Sequence, residues 1–409
     1  MTRGEDVPRG VKLAILVAAL GYFVDIYDLI LFSFVGKSSL KDMGVAPEHI
    51  DATFEGVFNV QMLGMLVGGL VWGVLGDKKG RLSVLFGSIL MYSLANVANG
   101  LLETTTYYAP LRFVAGVGLA GELGAGVTLV GEIMSRHSRG WGTTIIAGIG
   151  VTGALAAGLV DWLFHWRTAY FIGGGMGLLL LLLRVGVHES GMFESVKKDK
   201  AISRGNFFKL FTDGSRALRY VAVLLTGVPI WYLVGILAVR APKIAKDMGL
   251  EEPVTGRTAI MLLYTGLAIG DLASGVTSQL LRSRRGAVAV FVGIAAAATA
   301  FYFTAGRSSA TMMYVACVVA GLGGGYWAVF VTMASEQFGT NLRSTVTTTA
   351  PNFVRGSLVF VSMLIAALEP SLGTWKASLA AGFVCVVVAL LALLPLRESF
   401  GKDLDFVEE

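Results

Sequence analysis

The sequence predicts an all-α integral membrane protein of twelve transmembrane helices, arranged as two pseudo-symmetric six-helix bundles. Three observations predict it. Of 409 residues, 55% are apolar and only 15% charged, and the mean hydropathy is +0.69, a composition that requires a bilayer as solvent. The apolar residues fall in runs of about 20, the length at which a helix rising about 1.5 Å per residue crosses the hydrocarbon layer. Landmarks in the first half of the chain recur in the second at nearly constant offset.

Taken in order, the first run covers about 12–36. It follows the polar start MTRGEDVPRGVK without a small-residue cleavage signature, so it is expected to be a span and not a signal peptide. Runs at 53–75, 82–102, 109–134, 141–163 and 167–187 complete a first bundle within residues 1–188. The longest polar stretch, 189–216, carries Lys197, Lys198, Lys200, Arg204, Lys209 and Arg216 and is expected to be a linker lying against anionic headgroups. Runs at 217–239, 256–280, 286–305, 310–335, 344–368 and 374–396 form a second bundle within 217–409. Pro229 is expected to bend the seventh span, and Gly321, Gly323, Gly324 and Gly325 to loosen the tenth.

With the N-terminus inside, 22 of the 33 Lys and Arg fall in cytoplasmic segments, nine in outer loops, and only Arg112 and Arg355 within spans. The positive-inside bias therefore predicts both termini in the cytoplasm. It also explains the net charge of +5 without a nucleic-acid partner. The two cysteines, Cys317 and Cys385, lie in apolar runs, so no disulfide framework, metal site or cofactor is expected. Short loops suggest a monomer of a bacterial inner membrane.

The internal repeat is specific. GVLGDKKG, Gly73 to Gly80, is matched 206 residues later by QLLRSRRG, Gln279 to Gly286. Glu132 and Arg139 recur as Glu336 and Arg343, offset by 204, and His188-Glu189-Ser190 is echoed by Arg397-Glu398-Ser399. Gly73, Asp77, Lys78, Gly80 and Arg81 suit a tight turn with a charge network at the cytoplasmic mouth, and the two Glu/Arg pairs extend that gate.

Gly73, Gly76, Asp77, Lys78, Gly80 and Arg81 resemble the G-x-x-x-D-[RK]-x-G-R signature of the major facilitator superfamily. Arg112 to Gly118 is similar to its R-x-x-x-G-x-G pattern, and Leu396 to Lys402 to its usual ending. Ala120 to Ala125, Trp166-Arg167 and Glu189 to Phe193 look most like the metabolite:proton symporter branch, while Gly21 to Leu29 also resembles the phosphate symporters; aromatic-acid symporters are a third possibility. The resemblance implies alternating access, a helix-one aspartate, here Asp28, paired with Arg112, and a helix-eleven cation, here Arg355, for an organic anion.

Ionisable groups inside a span are expensive and face the bundle interior. Asp25 and Asp28, three residues apart, are expected to share a helical face and a cavity. Two such carboxylates cannot both ionise cheaply, so one can hold a proton, as coupling needs. Glu122 is a second proton site, a substrate contact or a static ion-pair partner. Asp271 is expected in an ion pair at the inner gate or in binding, and Asp161 with Arg167 or a neighbour. Arg355 has no acid on its own helix; an anionic substrate, Asp271 or an acid of the opposite half must meet it. Asn352, Tyr27, Gln61, Trp231, Tyr232, Tyr326 and Trp327 are expected to complete the cavity.

The function expected is proton-coupled symport of a small anionic metabolite. A proton-coupled antiporter or exporter and a facilitative anion carrier remain alternatives, although the fifth span lacks the Gly-Pro pair common in exporters. A Mg²⁺-dependent intramembrane enzyme using Asp25-x-x-Asp28 is the remote one.

Overall fold

The computed structural model describes residues 9–134, 139–183 and 205–408, with side chains from Ile15. Most of the expected linker, and Glu189 with it, lies outside the described residues, as does the Arg139 side chain. All described regular structure is helical.

The first bundle holds α1 (Arg9–Asp42), α2 (Pro47–Lys79), α3 (Arg81–Gly100), α4 (Tyr108–Leu119), α5 (Glu122–Ile133), α6 (Arg139–Val151), α7 (Gly153–Leu163) and α8 (Trp166–Leu183). The second holds α9 (Gly214–Tyr232), a π segment (Leu233–Ala238), α10 (Ala241–Asp247), α11 (Gly256–Leu281), α12 (Arg284–Thr304), α13 (Ala310–Gly324), α14 (Trp327–Gln337) and α15 (Arg343–Ala392). Eleven described stretches are long and apolar enough to cross a membrane. The last, α15, is 50 residues long and turns at Gly373, whose φ of 76° is open to glycine, so it is two spans and the total is twelve.

Several spans are less regular than their hydropathy implies. The fourth is interrupted at Ala120-Gly121 and the fifth at Thr152, while the tenth breaks at Gly325-Tyr326, in the glycine run. Pro229 stays inside α9, and the helix loosens one turn later into the π segment. Leu182, Phe360 and Leu394 are each about 70% exposed on the outer surface, as lipid-facing side chains are.

The halves meet where α2 and α5 pack on α15 and where α6 and α7 pack on α11. At the end of the bundle where α1 begins and residues 404–408 lie, this seam is shut by contacts between the halves. At the opposite end it opens into a cleft of about 1190 Å³.

Candidate functional site

The shut end is built from the repeated motif. Gly80 turns between α2 and α3 with φ 103°, and Gly73 lets α2 approach the backbone of Thr345 so closely that a side chain there would press on it. Asp77 thereby reaches the first turn of α15 in the other half. Ser344 N donates to its Oδ1 at 3.0 Å, and Thr345 N and Oγ1 donate to Oδ2 at 2.8 and 2.7 Å. A carboxylate at a helix N-terminus satisfies orphan N–H groups and the positive end of the dipole. Arg81 lies 3.5 Å from Asp77 and 2.8 Å from Glu132, and Glu132 receives Arg343 from the other half at 3.3 Å. Two arginines and two carboxylates thus form a neutral, buried chain across the seam. Lys78, exposed, makes no described ion pair.

The second copy of the motif uses different chemistry. Ser283 stands where the repeat would place a second Asp77. Arg284 pairs with Glu336 at 3.2 Å within its own half. Burial pushes the Glu398 carboxyl up, but the Ser283 hydroxyl and the N–H groups of Arg284, Phe400 and Ser399 hold it below the usual glutamate range.

Within the membrane the charged residues form two clusters. In the first half, Arg112 donates from Nη2 to Gln61 Oε1 at 2.8 Å and from Nη1 to Asn96 Oδ1 at 3.1 Å, between the rings of Phe32 and Tyr170. The expected Asp28–Arg112 ion pair is not formed. Arg112 reaches only the main-chain oxygen of Asp28, at 3.5 Å, and the Asp28 carboxylate makes no hydrogen bond within 3.5 Å. The two amides occupy the guanidinium before the aspartate can.

The other cluster bridges the halves. Arg355 Nη2 lies 3.8 Å from Asp25 Oδ2, and Nη1 donates to Asn352 Oδ1 at 3.1 Å. Trp231 and Trp327 flank the guanidinium, with ring centroids 5.8 and 5.5 Å from Cζ. Arg355 Nε and Nη2, both Asp25 oxygens and Trp327 Nε1 are buried without a hydrogen-bond partner. Among the alternatives for Arg355, an acid of the opposite half is the one that faces it. Glu122, the first residue of α5, and Tyr22 and Tyr264 lie within electrostatic reach of this cluster.

Asp25 and Asp28 lie beside different guanidinium groups, Arg355 and Arg112, while remaining within electrostatic reach of each other. Each has a guanidinium in its field, an arrangement that disfavours the divalent cation an enzyme would need. Asp271 makes no ion pair among the described residues: its Oδ1 accepts from Ala328 N at 3.0 Å and caps α14. Asp161 pairs not with Arg167 but with Arg257 of the other half, at 2.5 Å. Tyr27, Tyr232 and Tyr326 donate to the carbonyls of Ala169, Ser378 and Thr226 and so tie helices together away from the cluster. Gln61 is held by Arg112. Of the expected cavity residues, Arg355, Asn352, Trp231 and Trp327 come together.

The cleft ends short of this cluster, none of whose residues lines it. Leu358, one turn along α15 from Arg355, lies in its floor against Gly235, and Ser33, Phe34, Phe58 and Val359 line the walls near it. Arg240 and Ser362, which carry no motif in the sequence, also line the cleft. Ser344 and Thr345 also went unmarked, neutral residues whose role depends on meeting Asp77 from 267 and 268 positions away.

The sequence profile described as Major Facilitator Superfamily matches residues 18–363. The niacin transporter NiaP of Acinetobacter baylyi is 24% identical over 84% of each chain. The 3-(3-hydroxy-phenyl)propionate transporter of Escherichia coli is 27% identical over 81% of this chain and 80% of its own. Among solved structures, the proton:xylose symporter XylE bound to 6-bromo-6-deoxy-D-glucose superposes with a TM-score of 0.76 at 16% identity, covering 97% of this chain and 98% of that one.

Proposed function

Since the chain belongs to the major facilitator superfamily, and is a transporter rather than an enzyme, we propose that it carries a small aromatic monocarboxylate together with one proton, by alternating access. The observation that supports this reading is the Asp25–Arg355 pair across the halves, buried one turn of α15 from Leu358 in the floor of the cleft.

An uncompensated charge in a buried site is costly, so only net-neutral arrangements reorient easily. With Glu122 in a fixed protonation state, the Asp25–Arg355 pair adds no net charge when the site is empty. Loaded, the balance is kept when Asp25 carries a proton and the substrate carboxylate takes its place on the arginine. A proton alone or an anion alone leaves a charge behind. That rule couples the two fluxes one to one. The Nε–Nη2 edge of Arg355, which has no hydrogen-bond partner, suits bidentate recognition of a carboxylate. The flanking indoles favour an aromatic ring on it, and the relatives named for niacin and 3-(3-hydroxy-phenyl)propionate support the same class.

Entry from the open end is then followed by release at the end shut by Asp77, Arg81, Glu132 and Arg343. The loop distribution of Lys and Arg supports placing that end, and both termini, in the cytoplasm of a bacterial inner membrane, where a monomer suffices. The test is uptake of benzoate, nicotinate, acetate and succinate into proteoliposomes under an imposed pH gradient. Arg355→Ala is expected to abolish uptake of the aromatic acids, and Asp25→Asn to remove its dependence on the gradient. Uptake indifferent to both changes would sink the assignment.

A further inference from the structure

Four cations line the cleft: Lys37, Arg240, Lys243 and Arg257. Three are neutralised in place. Lys37 meets Asp51 at 2.6 Å, Lys243 meets Glu369 at 2.7 Å, and Arg257 meets Asp161 at 2.5 Å. Arg240 is the exception: no carboxylate lies within 4.0 Å of it among the described residues, although Glu369, held by Lys243, lies in its field. One of its five donors is used, Nη2 on Ser362 Oγ at 3.1 Å. Glu55, the remaining acid of the lining, is exposed and belongs to the other half.

The backbone explains how Arg240 comes to face the cleft. Trp231 and Arg240 are nine residues apart, about two and a half turns of α-helix, which would turn them to opposite sides. The intervening π segment, with Val239 N bonded to Val234 O five residues back at 3.2 Å, takes up extra residues per turn. Trp231 is thereby brought against Arg355 and Arg240 against Ser362, both on α15. Arg355 and Ser362 are seven residues apart, two turns and about 10 Å along one face. Val359, between them, lines the same wall.

We propose that Arg240, held by Ser362, is an anion-capture site in the cleft, where a carboxylate binds before moving about two turns inward to Arg355. The identity of the anion as an aromatic monocarboxylate rests on the function proposed above; the site itself does not. An unpaired guanidinium on the wall of a low-dielectric cleft focuses potential on incoming anions and raises their local concentration.

The test uses a reporter cysteine, Ala366→Cys, on the cleft wall one turn beyond Ser362; native Cys317 and Cys385 are buried. In proteoliposomes, the rates of modification by a negatively charged sulfonate and a positively charged trimethylammonium methanethiosulfonate are compared. Arg240→Gln is expected to lower the anion-to-cation rate ratio about fivefold, and Arg240→Lys to preserve most of it. In an Arg355→Ala background, millimolar benzoate is expected to slow the anionic reagent, and added Arg240→Gln to abolish that protection. Uptake by Arg240→Gln should show KM raised severalfold at unchanged maximal rate. Ser362→Ala, which removes the brace but not the charge, should keep the rate ratio. A ratio insensitive to Arg240→Gln, or one lost equally in Ser362→Ala, overturns the capture site. A ratio that responds while the wild type takes up no benzoate upholds the site and refutes the substrate class instead.

Discussion

Replacing Asp77 by Asn should tip the transporter away from the state described here. The side chain keeps its shape but loses its charge, and an NH2 group replaces one of two oxygens that accept from Ser344 N, Thr345 N and Thr345 Oγ1. Hydrogen bonds to a charged group contribute about 1.5–3 kcal/mol against about 1 for neutral ones, and a charge at a helix N-terminus up to about 2 more when partly buried. A loss of about 2–4 kcal/mol is reasonable for the set. These contacts exist only while the termini end is shut, so the loss becomes a population shift of about 30- to 1,000-fold toward the alternate state. The assay is modification of Ala366→Cys by a membrane-impermeant maleimide, which reads exposure of the open cleft. Asp77→Asn should slow labelling, by up to that shift in population, and Thr345→Val, which removes one hydroxyl, should slow it less. Unchanged labelling in a folded, monodisperse Asp77→Asn protein would refute the gate.

Arg355→Lys should keep the charge but lose the bidentate edge, so benzoate uptake should fall by about 1–3 kcal/mol in kcat/KM, measured as initial rates. Trp327→Leu should reduce benzoate uptake relative to acetate by about 0.5–1.5 kcal/mol, the value of one aromatic contact; an unchanged ratio counts against indole stacking. Glu398, held below the usual glutamate range, contributes stability that is present above about pH 4.3 and is lost as pH falls through its depressed value. The melting difference between wild type and Glu398→Gln should therefore be visible at neutral pH and vanish in strong acid, and it should be small because the side chain is only partly buried.

Twelve spans were legible because a bilayer imposes both length and hydropathy, and the repeat was legible because its glycines and charges are covalently local. Asp77, Arg81, Glu132 and Arg343 were recognisable as members of one charge network for the same reason. Their partners Ser344 and Thr345 were not, since a backbone N–H carries no residue identity. The membrane charges were found as costly groups, but cost does not name a partner: Arg112 is met by the amides of Gln61 and Asn96, and Asp271 by the first turn of α14. Arg240 escaped notice because it lies at a span end, where arginine is ordinary, and only the π segment aims it at α15. The tyrosines Tyr27, Tyr232 and Tyr326 looked like binding residues because a hydroxyl inside a span needs a partner, and main-chain carbonyls of neighbouring helices supply one.

The central claim is that charge neutrality between Asp25 and Arg355 ties one proton to one anion, and its most direct measurement is the driving force for benzoate accumulation in proteoliposomes. With proton and membrane potential gradients imposed separately, accumulation should follow the pH gradient, be indifferent to the potential, and become gradient-independent in Asp25→Asn. Accumulation driven by the potential alone, or an Asp25→Asn protein that still concentrates benzoate against its gradient, would contradict the account.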